Sequence, residues 1–96
     1  MLYALLCTDK HNSLDLRLKV RPEHLAFLDS LGDVCKFAGP FLDEAGNPNG
    51  SMVVILAESL AEAKAIGAKD PYAMEGLFAS VDVRAWRWTR NNPDSA

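Results

Sequence analysis

Two short, unbroken runs of apolar residues limit what this 96-residue chain can fold into. The first covers residues 2–7. The second covers residues 51–57, of which only Ser51 is polar. Both are flanked by polar, turn-forming residues. Runs of this length are typical of strands that are buried on both faces of a sheet. We therefore expect two central strands, around which the rest of the chain is arranged.

The segment that begins at Leu14 has the apolar spacing of a helix. Its apolar side chains form two adjacent stripes, which predict a wide face for packing on a sheet and an end at Gly32. Pro22 lies inside this segment and cannot donate the usual backbone hydrogen bond, so we expect a kink or a restart there. The stripes are Leu14, Leu18, Leu25 and Leu28, and Leu16, Val20, Phe27 and Leu31.

Two further helix starts can be identified from local chemistry. Ser59 and Glu62 have the spacing of a capping box, and they begin an alanine-rich helix that continues to about residue 68. Asp70 followed by Pro71 is a second start signal, because the carboxylate accepts backbone N–H bonds and proline fits the first helical position. Gly76 can end this short helix in the left-handed conformation.

The remaining strands are predicted at residues 34–41 and 78–88. In the first, the Gly39-Pro40 pair indicates a bulge, a bend or an edge position, because proline cannot donate to a ladder. Turn formers at residues 43–50 predict a hairpin loop before the second central strand. Residues 78–88 alternate, with an apolar odd face for the helices and an even face suited to a pocket or a dimer interface. The even face carries Phe78, Ser80, Asp82, Arg84, Trp86 and Trp88.

This order of elements predicts an α+β, ferredoxin-like βαββαβ fold. With right-handed crossovers, the antiparallel sheet has the strand order 4-1-3-2, which places the two apolar runs at its centre. We expect one domain over residues 1–90 and a flexible tail at 91–96. A core of this size is marginal, yet 49% of the residues are apolar. We therefore expect a second copy to cover one sheet face, in a homodimer or a higher homo-oligomer.

Composition and motifs exclude several classes of function. The net charge is −3 and the chain has no basic tract, which argues against nucleic acid as a partner. No apolar run reaches the roughly 20 residues of a membrane span, and the N-terminus lacks the pattern of a signal peptide. We expect a cytoplasmic protein in which Cys7 and Cys35 are reduced packing residues. Nucleotide, zinc and serine-hydrolase motifs are absent, so we expect no cofactor and no metal.

The candidate chemistry lies on the first helix and after the second. Arg17, Arg21 and His24 are spaced i, i+4 and i+7, so they share one flank of the helix. In this fold both helices cover the same sheet face, which allows His24 to approach Asp70. The flank is either a solvated basic edge with a partly buried histidine or the wall of a positive pocket. His11 lies in a polar loop and is expected to be solvated.

Several motifs, in this order along nearly the whole chain, resemble the YciI-like (YCII-related) family, small proteins with a dimeric α+β-barrel fold. The resemblance implies a His24–Asp70 dyad facing a pocket. It also implies that the pocket is bordered by Arg17, Arg21, Gly39, Pro40, Ser51 and Tyr72. The motifs are Ser13-Leu14, Arg17, Arg21-Pro22-x-His24-Leu25, Ala38-Gly39-Pro40-Phe41, Gly50-Ser51, Ser59-Leu60-x-x-Ala63, Asp70-Pro71-Tyr72-x-x-x-Gly76 and Val81-x-Val83 with Trp86.

Three functions remain open on these residues. The first is an enzyme, a lyase or isomerase, in which His24 is the general acid/base and Asp70 fixes its ring, while Arg17 and Arg21 bind a small organic anion. The resemblance implies this chemistry, because the family includes a dehydrochlorinase acting on a chlorinated hydroquinone and is similar to muconolactone isomerases. The loop between strands 2 and 3 is shorter here than in many relatives. The second function is a non-catalytic ligand-binding or regulatory domain, and the third is a purely structural His24–Asp70 contact.

Overall fold

The computed structural model describes residues 1–94. The predicted βαββαβ order is confirmed, with a 3-10 turn before the second strand and a short third helix before the last strand. Ser95 and Ala96, the end of the predicted tail, lie outside the described residues. The elements are β1 (Leu2–Asp9), α1 (Leu14–Ser30), the 3-10 turn (Gly32–Val34), β2 (Cys35–Leu42), β3 (Pro48–Leu56), α2 (Leu60–Ala68), α3 (Pro71–Met74) and β4 (Phe78–Trp86).

The four strands form one antiparallel sheet in the order β2-β3-β1-β4, which is the predicted order. The two apolar runs are β1 and β3, and they form the central pair, with Leu5 opposite Val53. Cys7 and Cys35 are both free, and they lie on β1 and β2, which are separated by β3.

The main core lies between one face of the sheet and the helices. Odd-numbered residues of the central strands supply the sheet side of this core, and α1 and α2 cover it. A second, smaller cluster joins Val20 of α1 to Tyr72 of α3 and Leu77. The main cluster contains Tyr3, Leu5, Cys7, Val53, Ile55, Ala57 and Ala63, with Leu28, Leu31 and Ile66 packed against it.

A register shift between the end of β1 and the start of β4 changes which β4 side chains face the helices. The pairing of β1 with β4 slips between Thr8 and Asp9, so Asp9 lies opposite Phe78. A bulge of this kind reverses the alternation of faces beyond it. Phe78 therefore packs against both core clusters, and its predicted place on the even face of β4 was wrong. Asp9 has the same parity in β1 as Leu5 and Cys7, so its side chain faces the helices by the ordinary alternation of the strand.

Helix α1 differs from its prediction in two ways. It is continuous through Pro22, so the alternative of a restart was wrong. Its buried residues include Arg17 and His24, whereas Leu18 and Leu25 are 53% and 45% exposed. The prediction that both leucines pack on the sheet was wrong, because this part of α1 turns Arg17 and His24 toward the protein interior instead. Gly32 follows the helix with φ +56°, as expected for its end.

The β2–β3 hairpin is tighter than predicted. Strand β3 already begins at Pro48, so the loop is residues 43–47. Within it the Asp43 carboxylate accepts hydrogen bonds from two backbone N–H groups, those of Ala45 and Asn47. Pro40 lies on the edge strand β2, which is the edge alternative of the prediction, and the register irregularities of β2 fall elsewhere.

The predicted helix starts are confirmed. The Ser59 hydroxyl accepts a hydrogen bond from the Glu62 N–H at 3.1 Å. Asp70 is the cap of α3, Pro71 occupies its first turn, and Gly76 follows with φ +76°. These three local signals place Asp70 rigidly between α2 and α3.

On the other face of the sheet, which no helix of residues 1–94 covers, several large apolar side chains are exposed. Trp86 is 39% exposed and Leu56 is 44% exposed on this face. Phe37 makes edge contacts with Trp86 and Trp88, at ring-centroid distances of 5.7 and 4.8 Å. Along the described chain, residues 1–94, no helix is both long and apolar enough to cross a membrane.

Replacing Gly50 by alanine should destabilise the fold. A Cβ at this position would lie 2.5 Å from the Cys7 carbonyl oxygen and 3.3 Å from the Phe41 ring. The β1–β3 pairing would have to shift, which should lower the free energy of unfolding by about 1–3 kcal/mol. Urea denaturation measures this. Gly39→Ala is the matched control, because nothing lies within 4 Å of its Cβ, and a loss as large there would contradict the steric explanation.

Candidate functional site

Helix α1 brings His24 into contact with Asp70, which precedes α3. His24 Nδ1 lies 2.9 Å from both carboxylate oxygens of Asp70. Both residues are buried, at 6% and 5% exposure. An ionised carboxylate can only accept hydrogen bonds, so Nδ1 carries the proton and donates it. The contact fixes the tautomer of the ring and leaves Nε2 as its free nitrogen.

Tyr72 holds the histidine ring from its flat side. Its ring stacks on that of His24 with 4.0 Å between centroids and 17° between planes. The Tyr72 N–H also donates to Asp70 Oδ1 at 2.9 Å, so the residue that packs on the histidine is tied to its partner. The Arg17 guanidinium lies 4.7 Å from the centroid of the Tyr72 ring. Residues seven apart on a helix are separated by about 10 Å along its axis, so the Tyr72 ring fits between Arg17 and His24.

Arg17 is held by two partners inside the protein. Its Nη1 donates to both carboxylate oxygens of Asp9, at 3.0 and 2.8 Å. Its Nη2 donates to the Ser51 hydroxyl at 2.6 Å. The side chains of Arg17 and Asp9 are each only 5% exposed. The guanidinium is therefore a buried, fully oriented group that links β1, α1 and β3.

A cavity of about 360 Å³ lies beside these groups, between α1, the β2–β3 hairpin and α3. Its walls are mainly apolar, and its polar groups come from α1, β3 and α3. Within residues 1–94, every buried side-chain nitrogen or oxygen has a hydrogen-bond partner. His24 Nε2 has no partner in this part of the chain, so this atom is not buried and reaches accessible space. The apolar walls are Leu18, Leu25, Leu28, Ala38, Leu42, Pro48 and Val53.

The structure gathers nearly all the predicted site residues around this one cavity. Asp70 is the exception: it lies behind the His24 ring, away from the cavity, where it contacts the ring and the start of α3. Ser51, predicted only as a border residue, is 2% exposed and meets the cavity from the floor of the sheet. Those lining the cavity are Arg17, Arg21, His24, Gly39, Pro40, Ser51 and Tyr72.

The charges around the cavity are unequally satisfied. Arg17 is paired with Asp9, and His24 is in contact with Asp70. Arg21 is exposed, lines the cavity, and forms no ion pair with any other residue of the described part, 1–94. Arg21 is therefore the cation available to an anionic ligand. Nowhere in that same part are three or more histidine, cysteine or acidic side chains grouped as metal ligands.

Sequence reasoning missed two features of the site. The first is Asp9, which lies beyond the strand predicted at residues 2–7; its odd-numbered position, shared with Leu5 and Cys7, was a weak signal that it faces the helices. The second is the cavity role of Leu18 and Leu25. They share a helix flank with Arg21, and that spacing could have revealed them.

Burial also changes the acidity of two groups near the site. Burial raises the pKa of the Cys7 thiol to about 12, with smaller contributions from the nearby Asp70 and Asp9 carboxylates. Burial likewise raises the pKa of the Tyr72 phenol, although the positive charge of Arg17 acts in the opposite direction. Both groups are therefore neutral at physiological pH, and neither supplies a reactive anion.

Comparisons with known proteins identify relatives of this chain. The model of the YCII-related domain matches residues 1–87. Protein YciI of Escherichia coli is 38% identical over 95 residues, which covers 91% of this chain and 97% of that protein. An uncharacterized protein of Haemophilus influenzae is 36% identical over 96 residues, with the same coverage.

Among solved structures, this fold is similar to a 5-chloro-2-hydroxyhydroquinone dehydrochlorinase from Burkholderia phenoliruptrix in complex with 2,5-dihydroxybenzoquinone. The two share a TM-score of 0.84 and 30% identity over 96% of this chain and 99% of that one. A NIPSNAP family protein from Agrobacterium tumefaciens has a TM-score of 0.57 and 19% identity over 98% of this chain and 97% of that one. That likeness concerns the fold alone.

Asp9→Asn should destabilise the protein strongly. The substitution leaves the buried Arg17 guanidinium without a counter-charge, and breaking a buried pair in this way costs about 3–5 kcal/mol. Chemical denaturation followed by circular dichroism measures the free energy of unfolding. Asp29→Asn, on the exposed end of α1, should change it by less than about 0.5 kcal/mol. Equal effects in the two variants would contradict the importance of the Asp9–Arg17 pair.

Proposed function

The chain belongs to the YCII-related family, and we propose that it is a small-molecule enzyme in which His24 and Asp70 form an acid/base dyad. The observation that carries this proposal is the pairing of the buried His24 Nδ1 with Asp70, at 2.9 Å, while the ring borders a cavity of about 360 Å³. A histidine held only for structural reasons needs the contact but not the cavity. The combination favours chemistry at Nε2.

The dyad supplies a base of fixed orientation. Asp70 accepts the Nδ1 proton, so the lone pair of the neutral ring is on Nε2. When Nε2 takes a proton, the ring becomes a cation and the carboxylate stabilises it. Tyr72 restricts rotation of the ring by stacking against it. This arrangement suits repeated transfer of one proton between protein and ligand.

The reaction type that fits is elimination or isomerisation. In an elimination, Nε2 removes a proton from an O–H or C–H group, the freed electron pair forms a new double bond, and chloride leaves with the electrons of the C–Cl bond. Release of the proton from His24 to water makes the net reaction the loss of HCl. In an isomerisation, the same proton returns to a different atom of the ligand. Both schemes use groups that the chain itself supplies.

The cavity favours a compact, mostly apolar ligand with one negative charge. Apolar walls suit the faces of a ring, and Arg21 is the unpaired cation among residues 1–94 that border the cavity. The dehydrochlorinase from Burkholderia phenoliruptrix, which binds dihydroxybenzoquinone, supports a hydroxylated or chlorinated ring as the ligand class. We assign Arg21 the role of anion anchor. Gly39 and Pro40 border the cavity from β2.

His24→Ala should abolish turnover of a chlorinated hydroxyhydroquinone. Loss of the acid/base group is expected to lower the rate by about 10²–10⁴-fold, and chloride release measures it. Asp70→Asn should lower the rate as well, because an amide does not stabilise the charged His24 ring. The amide oxygen can still cap α3, so the fold should be kept. His11→Ala is the matched control, since His11 is exposed in the loop before α1.

Full chloride release by His24→Ala would exclude His24 as the acid/base. If wild-type protein binds the compound in calorimetry but releases no chloride and forms no isomer, the alternative of a non-catalytic binding domain holds instead. A lactone substrate, followed by the formation of its isomer, separates the isomerase from the lyase.

A second copy of the chain is the expected partner of the uncovered sheet face. This face exposes Leu56 on β3 and Trp86 on β4, with half-buried side chains beside them. Apolar area of this kind is stabilised when it is removed from water, at roughly 25 cal/mol per Å². Sedimentation equilibrium should give about twice the 10.5 kDa of one chain, and Leu56→Asp should shift the population toward monomer. A wild-type protein that sediments as a monomer at high concentration would contradict the dimer.

A further inference from the structure

The Ser51 hydroxyl has an unused proton. Its oxygen accepts a hydrogen bond from Arg17 Nη2 at 2.6 Å. A guanidinium has donors only, so the hydroxyl proton of Ser51 cannot point back toward Arg17. Within residues 1–94 this hydroxyl donates to no side-chain or backbone acceptor, although Ser51 is 2% exposed. Ser51 lines the cavity, so the cavity is the space in which its proton can find an acceptor.

The contacts of Arg17 make this hydroxyl a stronger donor. Asp9 binds the guanidinium at Nη1 and Ser51 binds it at Nη2, so the pair presents its positive end to the serine. A hydroxyl that accepts a charge-assisted hydrogen bond is polarised and donates more strongly. Since Arg17 and Asp9 are both about 5% exposed, water screens this effect little.

We propose that Ser51 donates a hydrogen bond to a ligand oxygen that becomes negatively charged when His24 takes its proton, with Arg17 and Asp9 as positioning residues. This inference rests on the proposed function and narrows its substrate class. The ligand should carry a phenol, an enol or a carbonyl group whose oxygen gains charge in the reaction. Donors fixed before the reaction stabilise such charge without reorganising.

The inference also separates the roles of the two arginines. The sequence predicted that both bind the anion, but both terminal nitrogens of Arg17 are engaged within the protein. Arg21, at the exposed side of the cavity, is left to hold the ligand's resting charge. Ser51 then serves the charge that develops during the reaction. A ligand with an oxygen at its reacting end and an anionic group at its other end would contact both Ser51 and Arg21.

Binding of 4-nitrophenol tests the role of Ser51. Its phenolate absorbs visible light and its neutral form does not, so absorbance titrations at several pH values give separate affinities for the two forms. Wild-type protein should prefer the phenolate and thus lower the pKa of the bound phenol. Ser51→Ala should bind the phenolate about tenfold to a hundredfold more weakly, with little change for the neutral phenol.

Two further variants separate a donor from a packing residue. Ser51→Thr keeps the hydroxyl and should restore most of the phenolate preference, whereas Ser30→Ala, exposed at the end of α1, should leave it unchanged. Arg17→Lys keeps the charge but cannot bind Asp9 and Ser51 with one fork. It should lose part of the preference while circular dichroism reports a folded protein. Asp9→Asn is not needed for this test, so its instability does not affect the outcome.

The possible results distinguish the inference from the function on which it rests. Phenolate binding by Ser51→Ala with wild-type affinity would overturn the role of Ser51 and leave the His24–Asp70 proposal intact. Equal binding of phenol and phenolate by wild-type protein would overturn it as well. No binding of either form by wild-type protein would reject the ligand class and the inference together. Loss of chloride release in His24→Ala tests the dyad independently.

Discussion

The contact between Asp70 and His24 joins α1 to the start of α3 beside the cavity. One carboxylate accepts from the imidazole Nδ1 at 2.9 Å and from the Tyr72 N–H at 2.9 Å, so it caps α3 and orients a ring on α1. Both functions need a carboxylate buried at this point, and burial is tolerated because the carboxylate accepts at both oxygens. A single side chain thus couples helix formation to the geometry of the site.

The buried polar stripe of α1 explains why the cavity exists. Placing Arg17 and His24 inside the protein is costly unless each finds a partner, and the partners are supplied by other elements: Asp9 from β1, Ser51 from β3 and Asp70 before α3. Meeting these partners prevents α1 from lying flat on the sheet with its leucines. The space left between α1 and the β2–β3 hairpin is the cavity. The polar contacts therefore shape the binding space as well as furnish its chemistry.

Local chemistry in the sequence predicted much of this structure. The two apolar runs gave the central strands, and the caps at Ser59 and Asp70 gave the helix starts, because these signals depend only on neighbouring residues. Asp9 was not found in this way, because a polar residue at the end of a strand has the same local pattern as a loop residue and its partner Arg17 lies on another element. The exposure of Leu18 and Leu25 was missed for a related reason. An apolar stripe has the same spacing whether it covers a sheet or lines a cavity. Assignment of His24 and Asp70 to one site came from the ordered motifs, and their roles stay predictions.

The position of Asp9 in β1 determines the face of the sheet on which its carboxylate lies. Successive strand residues alternate between faces, and Asp9 follows Tyr3, Leu5 and Cys7 on the helix side. An insertion or deletion of one residue before Asp9 would present the neighbouring side chain to Arg17 and send the carboxylate elsewhere. The length of the loop at residues 10–13 is not constrained by this alternation. Length variation among related chains should therefore be confined to this loop. The number of residues between Cys7 and Asp9 in β1 should stay constant.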